Sequence, residues 1–175
     1  MERMVNKWMQ GMSAVGILLS SFFILNLFAS CESIDCTLNN VVACHYAFYS
    51  AETGEAYTLT DVLTVTAEGT EEVLYNQGTN TQSISLPMSY WQDTDVLKFS
   101  FYNTETETTE EATLQVSKTN TQHFESPDCP ATMFHQLTSI TFDSPTGYIE
   151  SVEITKKSVQ YNSQENVKIY LHTAD

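Results

Sequence analysis

The four cysteines are the residues whose surroundings most clearly indicate a reaction. Cys31 follows the small residues Ala29 and Ser30 at the end of an apolar run, where a thiol can be acylated. The remaining cysteines are Cys36, Cys44 and Cys129. In an exported protein, three such thiols allow one disulfide bond and leave one cysteine over. The sequence therefore predicts two modifications, a lipid attachment and an oxidation.

The segment before Cys31 is organised like a secretory signal peptide. Arg3 and Lys7 stand against one acidic residue, Glu2, and residues 13–29 are uncharged and mostly apolar. The run Leu-Phe-Ala-Ser-Cys at 27–31 resembles a lipobox, where bacterial lipoprotein signal peptides are cleaved. We predict that residues 1–30 are a cleaved lipoprotein signal peptide and that Cys31 is acylated. An uncleaved anchor is the alternative, because about 17 apolar residues reach the short limit for a membrane span.

Removal of residues 1–30 makes an acidic chain more acidic. The full sequence has 22 acidic and 7 basic residues, a formal net charge of −15. The remaining 145 residues carry 21 acidic residues against five lysines, a charge of −16, and no arginine. Because a phosphate backbone would be repelled, this charge excludes nucleic acid as a partner. It also means that lipid on Cys31, and not surface charge, would have to hold the domain at a membrane.

Two disulfide pairings are open. Cys36 and Cys129 both lie in polar stretches and are our first choice, whereas Cys44 alternates with apolar residues and is expected to face the core. Cys44 with Cys129 is the alternative. Either bond closes a loop of more than eighty residues and adds roughly 4 kcal/mol by the chain-entropy relation. A zinc site formed by Cys36, Cys44, His45 and Cys129 is not favoured, because paired ligand spacing is missing.

The elements that must position these residues are predicted to be strands. Short stretches of alternating apolar and polar residues are separated by turns, and the mature chain has no convincing helical period. Nine strands are expected, at residues 41–49, 58–67, 72–75, 83–88, 96–102, 113–118, 133–142, 149–156 and 167–172. The predicted fold class is all-β, with residues 41–175 forming a single antiparallel β-sandwich of immunoglobulin-like architecture. Residues 31–40 are predicted to be an acylated N-terminal tether.

One aromatic pair indicates ligand binding. Tyr90 and Trp91 are adjacent in a polar segment and offer a stacking platform for a sugar ring. The simpler interpretation is that such a pair fills the core or packs across the end of a sheet.

Two acidic groups are candidates for binding calcium. Asp93 and Asp95 follow the aromatic pair, and Glu105 and Glu107 belong to the acidic stretch 104–111. Calcium sites require carboxylates that converge with fixed carbonyl groups. The simpler interpretation of the stretch is a solvated hairpin tip, whose charges keep an edge strand from pairing with another chain.

No catalytic residue and no cofactor are predicted. The sequence has no Gly-x-Ser-x-Gly turn, no His-Glu-x-x-His helix and no phosphate-binding glycine loop. Its four histidines are scattered singly, as is typical of structural or surface positions. The enzyme alternative is an envelope hydrolase whose nucleophile and base meet only in the folded chain.

The order of several short motifs resembles a domain-of-unknown-function family of small lipoproteins from the Gram-negative cell envelope. Besides acylated Cys31, the motifs are Asp35-Cys36, Asp61-Val62-Leu63-Thr64-Val65, Glu71-Glu72-Val73-Leu74-Tyr75-Asn76, Ser85-Leu86-Pro87-Met88, His123-Phe124-Glu125-Ser126, Ile149-Glu150-Ser151-Val152 and Glu165-Asn166-Val167-Lys168-Ile169-Tyr170. The resemblance covers nearly the whole mature domain and implies no assigned activity. The family's two recurring cysteines map to Cys36 and Cys129, which favours that bond. Some relatives carry a calcium-binding label, for which this sequence has no supporting motif.

These features predict a non-catalytic lipoprotein that is exported and tethered by Cys31 at the Gram-negative outer membrane. We expect it to act through contacts with an envelope protein or with another envelope component. The domain would face the periplasm or the cell surface, and Glu32 and Asp35 directly after Cys31 favour surface display. A cell-surface calcium- or glycan-binding module and the hydrolase are the alternatives.

Overall fold

The computed structural model of the chain describes residues 42–70, 72–161 and 164–172. Every regular element in these ranges is a β-strand. The ten strands are β1 (Ala43–Ser50), β2 (Val62–Ala67), β3 (Val73–Gly78), β4 (Ser83–Pro87), β5 (Thr94–Asn103), β6 (Thr108–His123), β7 (Thr132–Asp143), β8 (Ile149–Ile154), β9 (Ser158–Val159) and β10 (Val167–Leu171). None of the described residues belongs to a helix long and apolar enough to cross a membrane.

The strands form two sheets. The four-stranded sheet has the order β4-β1-β10-β8, and the six-stranded sheet has the order β3-β2-β5-β6-β7-β9. The ladders are antiparallel except between the first and last strands. There β1 and β10 run parallel, with Tyr46 opposite Val167 and Ser50 opposite Leu171. The predicted all-β sandwich is confirmed, and this parallel pair is its one departure from an antiparallel arrangement.

Alternation along the strands places one face of each sheet in a shared core. Tyr46 and Phe48 of β1 are fully buried, and so are Phe99 and Phe101 of β5 in the opposite sheet. The rings of Tyr46 and Phe99 meet edge to face, with their centroids 6.3 Å apart. Such an aromatic pair contributes about 0.5–1.5 kcal/mol beyond the area that it buries. The core therefore lies between the sheets, where the alternation predicts it.

The two ends of the sandwich are built from different connections. The near end is the one where β1 begins, because Ala43 pairs with Pro87 and the β4–β5 loop, residues 88–93, follows directly. The β6–β7 connection at residues 124–131 belongs to this end, since β6 continues past the start of β5. The far end carries the β5–β6 turn at residues 104–107. The described part of the chain thus begins at the near end.

The longest and the shortest strands differ most from the prediction. β6 extends over Thr108–His123 rather than 113–118, because its polar ends pair with β5 and β7 without being buried. The two-residue strand β9 was not predicted, since it is too short to carry a periodic signal. The acidic stretch does form a hairpin, but its turn occupies only residues 104–107, and Glu110 and Glu111 lie within β6.

Asn166 fastens the parallel strand pair to the segment that follows β8. Its side chain is buried, and Oδ1 accepts a hydrogen bond from the His45 backbone N–H at 3.1 Å. Nδ2 donates to the carbonyl oxygens of Lys156 and Ser158, each at 3.0 Å. One side chain therefore satisfies three part-buried backbone groups from two separate segments.

We expect Asn166→Ala to lower the free energy of unfolding by about 3 kcal/mol, because each buried peptide group left without a partner costs about 1–3 kcal/mol. Urea denaturation measures the loss. Gln160→Ala, at an exposed position six residues earlier, is the control and should stay within about 0.5 kcal/mol of wild type. Equal losses in the two variants would contradict the structural role of Asn166.

Candidate functional site

The near end contains a buried ion pair beneath the β4–β5 loop. The Lys118 side chain on β6 is fully buried, and its Nζ lies 2.7 Å from Oδ1 of Asp95 on β5. Nζ also donates to Ser89 Oγ at 3.0 Å and to the Gln92 carbonyl at 2.8 Å. These three acceptors match the three protons of an ammonium group. The charge is therefore paired and fully hydrogen-bonded, as burial requires.

The same network holds the loop by its backbone. Ser89 donates its hydroxyl to Asp95 Oδ1 and its backbone N–H to Oδ2, the latter at 3.3 Å. The Lys118 backbone N–H donates to the Asp93 carbonyl at 2.8 Å. Asn120 Nδ2 donates to the Gln92 carbonyl at 2.9 Å. Residues 88–93 are thus attached to β5 and β6 at three of their six positions, Ser89, Gln92 and Asp93.

His135 on β7 extends this network into the core. Its Nδ1 lies 2.7 Å from Asn120 Oδ1, and Nδ1 must be the donor because the Asn120 amide hydrogens are directed to Gln92. Nε2 is buried and has no hydrogen-bond partner among the described residues. Burial, followed by the charge of Lys118, lowers the pKa of His135 to about 4, against a weaker opposing effect of Asp95. The imidazole is therefore neutral at neutral pH.

The two aromatic residues of the loop have different positions. The Tyr90 ring lies over His135, with centroids 6.4 Å apart, and is half exposed. The side chain of Trp91 is 83% exposed, the highest value among the large hydrophobic residues described. Trp91 therefore does not fill the core, and its ring is available for a contact. A shallow cavity of about 260 Å³ lies beside the loop, lined in part by Met88 and Gln92.

The residue types at this site include a potential nucleophile and base, Ser89 and Lys118. A lysine that activates a serine must accept the hydroxyl proton through a free lone pair. Here the ammonium group donates to Ser89, and Ser89 directs its own proton to Asp95. The described arrangement therefore anchors the loop and does not activate Ser89.

The calcium candidates fall at opposite ends of the sandwich. Asp93 and Asp95 lie at the near end, where Asp95 is neutralised by Lys118. Glu105 and Glu107 are exposed in the turn at the far end. Among the described residues, no three His, Cys, Asp or Glu side chains come close enough together to hold a metal ion. Calcium binding by these residues stays a prediction without a converging ligand set.

The far end contains an acidic cluster that the sequence did not indicate. Asp61 is buried and accepts hydrogen bonds from Tyr148 Oη at 2.7 Å and from Asn103 Nδ2 at 3.0 Å. Burial and the bond to Asp61 raise the pKa of Tyr148. Glu110 and Asp61 line a cavity at this end of the sandwich. Glu110 Oε2 is buried and has no hydrogen-bond partner in the described ranges. No sequence signal connects these residues, since Asp61, the β5–β6 hairpin with Asn103 and Glu110, and Tyr148 lie in separate parts of the chain.

The structure removes one of the two disulfide pairings. Cys44 is a free thiol on the core face of β1, where burial raises its pKa to about 12. The alternative bond between Cys44 and Cys129 is therefore wrong, because the side chain of Cys44 points between the sheets. Cys129 is not a free thiol. Cys31 and Cys36 lie outside the described residues, so acylation and the pairing of Cys36 with Cys129 stay predictions.

Comparison with known proteins gives one match. Residues 62–171 match a family described as a family of unknown function, DUF6452. This range includes nine of the ten strands, the buried ion pair and the aromatic loop. No curated protein and no solved structure matches the chain.

We expect Lys118→Met to lower the free energy of unfolding by about 3–5 kcal/mol, because Asp95 would be left as an unpaired buried charge. Adding Asp95→Asn should restore part of the loss, since the second change removes that charge. Urea denaturation of both variants measures the difference. Lys98→Met breaks the exposed pair with Glu111 and, as the control, should cost at most about 1 kcal/mol. An additive double variant would argue against coupling between Lys118 and Asp95.

The low pKa of His135 predicts a loss of stability in acid. Its pKa is about 4 in the folded chain against an ordinary value of 6.5, so between these values only the unfolded chain binds the proton. The stabilisation is fully present above pH 6.5 and is lost as the pH falls through 4. The loss in the free energy of unfolding is on the order of 2–3 kcal/mol.

Urea denaturation between pH 7.5 and about 4 tests this dependence. His135→Gln lacks the titrating group, so the stability difference between wild type and this variant should shrink as the pH falls. His123→Gln, at the same end of the sandwich, is the control. Parallel pH profiles for wild type and His135→Gln would contradict the assignment.

Proposed function

The chain belongs to DUF6452, a family of unknown function, and we propose that it is a non-catalytic lipoprotein of the Gram-negative cell envelope. In this proposal Cys31 carries the lipid that holds the domain at the outer membrane. The folded part acts through contacts with an envelope protein or another envelope component.

The observation that carries the proposal is the position of Cys31 relative to the fold. The lipobox-like run ends at Cys31, and the first strand begins twelve positions later, at Ala43. Lipid on Cys31 would therefore reach the sandwich through a short connection. An acidic domain needs such an anchor, because anionic lipid repels its surface.

A role in contact rather than catalysis is supported by the hydrogen bonds that polar side chains at the two ends make to other groups of the domain. At the near end the protons of Lys118 and Ser89 are directed to fixed acceptors. At the far end Asp61 accepts two hydrogen bonds from neighbouring side chains. The ring of Trp91 is left exposed on an anchored loop, which suits a contact surface.

We also propose that Cys36 and Cys129 form the disulfide bond. Cys44 is excluded as a partner because it is free. Cys129 belongs to the connection at residues 124–131, at the end where the chain enters β1. A bond from Cys36 to this connection would join the tether to the near end.

Metabolic labelling with an alkyne analogue of palmitate tests the anchor. We expect the label on wild-type protein in the membrane fraction, and its loss together with release of the protein from the membrane in Cys31→Ala. Cys36→Ser, five positions later, is the control and should keep both the label and the membrane association. A Cys31→Ala protein that is still labelled and membrane-bound would overturn the proposal.

A further inference from the structure

We propose that the near end of the sandwich lies against the bilayer, with Trp91, Tyr90 and Phe124 in the zwitterionic headgroup region. This inference rests on the proposed lipid anchor and adds an orientation to it. Under the proposal, the lipid supplies the attachment and the aromatic side chains determine which end of the domain meets the membrane.

The exposed aromatic residues are concentrated at this end. Trp91 is 83% exposed, Phe124 58% and Tyr90 49%, the three highest values among the aromatic side chains described. Trp91 and Tyr90 belong to the β4–β5 loop, and Phe124 directly follows β6. Trp and Tyr are enriched where a membrane meets water, because their rings favour the apolar boundary and their polar atoms stay hydrated.

The residues next to the exposed aromatic side chains are held in place by hydrogen bonds and ring contacts. The Gln92 carbonyl next to Trp91 accepts hydrogen bonds from both Lys118 and Asn120. The residue before Phe124, His123, stacks on Phe134 with ring centroids 4.3 Å apart, and Tyr161 meets Phe134 edge to face at 4.9 Å. Side chains presented in this way lose little further freedom when they insert into an interface.

Two of the exposed or half-exposed lysines, Lys156 and Lys157, lie toward the same end of the sandwich as the aromatic side chains. Lys156 and Lys157 follow β8 at its near end. The Lys157 carbonyl accepts a hydrogen bond from the backbone N–H of Leu137, which lies opposite Lys118 in the β6–β7 ladder. Among the described residues, the cavity at the far end is lined by Glu52, Asp61 and Glu110, and no lysine lies there. The cavity beside the β4–β5 loop is likewise lined by acidic residues, Glu68, Glu72 and Asp95, so Lys156 and Lys157 only moderate the negative charge of the near end. Its own acidic residues, Asp93 among them, favour a zwitterionic rather than an anionic surface.

The length of the proposed tether limits the distance between the lipid on Cys31 and the near end of the sandwich. Ten residues lie between Cys31 and Val42, and the eleven steps from one to the other span at most about 40 Å when fully extended. With Cys36 bonded to Cys129, only the five steps from Cys31 to Cys36 would remain, and the reach from Cys31 to the 124–131 connection falls to about 18 Å. Either length starts from the near end, because β1 begins there.

Tryptophan fluorescence in vesicles tests the orientation. The sequence has two tryptophans, Trp8 and Trp91, so Trp8→Phe leaves Trp91 as the sole reporter whatever happens to residues 1–30. The acylated protein is reconstituted in phosphatidylcholine vesicles with and without lipids brominated on the upper part of their acyl chains. We expect a blue-shifted emission that the brominated lipid quenches about twofold or more, as for side chains about 5–10 Å into the headgroup boundary.

A reporter at the far end is the matched control. Tyr102 is an exposed aromatic residue opposite Thr109 of β6, nine residues and about 30 Å along that strand from Lys118. Tyr102→Trp in a Trp8→Phe, Trp91→Phe background should give emission that the brominated lipid leaves unchanged. Equal quenching of the two reporters would overturn the orientation.

The remaining outcomes separate this inference from the proposed function. An unquenched Trp91 in protein that carries the palmitate label overturns the orientation and leaves the lipid anchor standing. Absence of both the label and vesicle association overturns both. An unquenched Trp91 whose emission shifts with soluble oligosaccharides from the envelope would identify the loop as a glycan-binding surface instead.

Discussion

The burial of the Lys118 ammonium group is the constraint on which the near end depends. A charge in the interior is stable only when a counter-charge and hydrogen-bond acceptors surround it. Asp95 supplies the counter-charge, and the β4–β5 loop supplies Ser89 and the Gln92 carbonyl. The loop must therefore close over Lys118 in one conformation. That conformation turns Trp91 outward, so a requirement of the core determines what the surface presents.

The pairing of the first and last strands links this surface to the upstream chain. Because β1 lies between β4 and β10, its first residue is held at the end where the β4–β5 loop closes. Asn166 reinforces the position by bonding the His45 backbone to the segment after β8. The start of β1, the 124–131 connection with Cys129 and the aromatic loop consequently share one end of the sandwich. In the proposed function, the tether and the contact surface would therefore meet at the same end of the domain.

The sequence was informative about burial wherever alternation was regular. The core positions of Tyr46 and Phe48 and the inward direction of Cys44 follow from a period of two. Lys118 follows Leu114 and Val116 in the same alternation, where a charged residue indicates the end of a strand. Its burial depends on Asp95 and on the loop, which only the tertiary structure brings together. The far-end cluster around Asp61 was unpredictable for the same reason, since its members lie in segments far apart along the chain.

The range of electrostatic forces determines how an acidic domain can meet a membrane in the proposed arrangement. Net charge describes the force on the whole domain at a distance, but at ionic strengths near 0.15 M that force is screened beyond about 8 Å. At shorter range the composition of the nearest face decides. Lys156 and Lys157 lie toward the end with the aromatic loop, whereas the far cavity is lined by Glu52, Asp61 and Glu110. Carboxylates lie at both ends, since Glu68, Glu72 and Asp95 line the cavity beside the loop. In the proposed arrangement the two lysines therefore reduce the repulsion locally, and the exposed aromatic side chains determine the orientation.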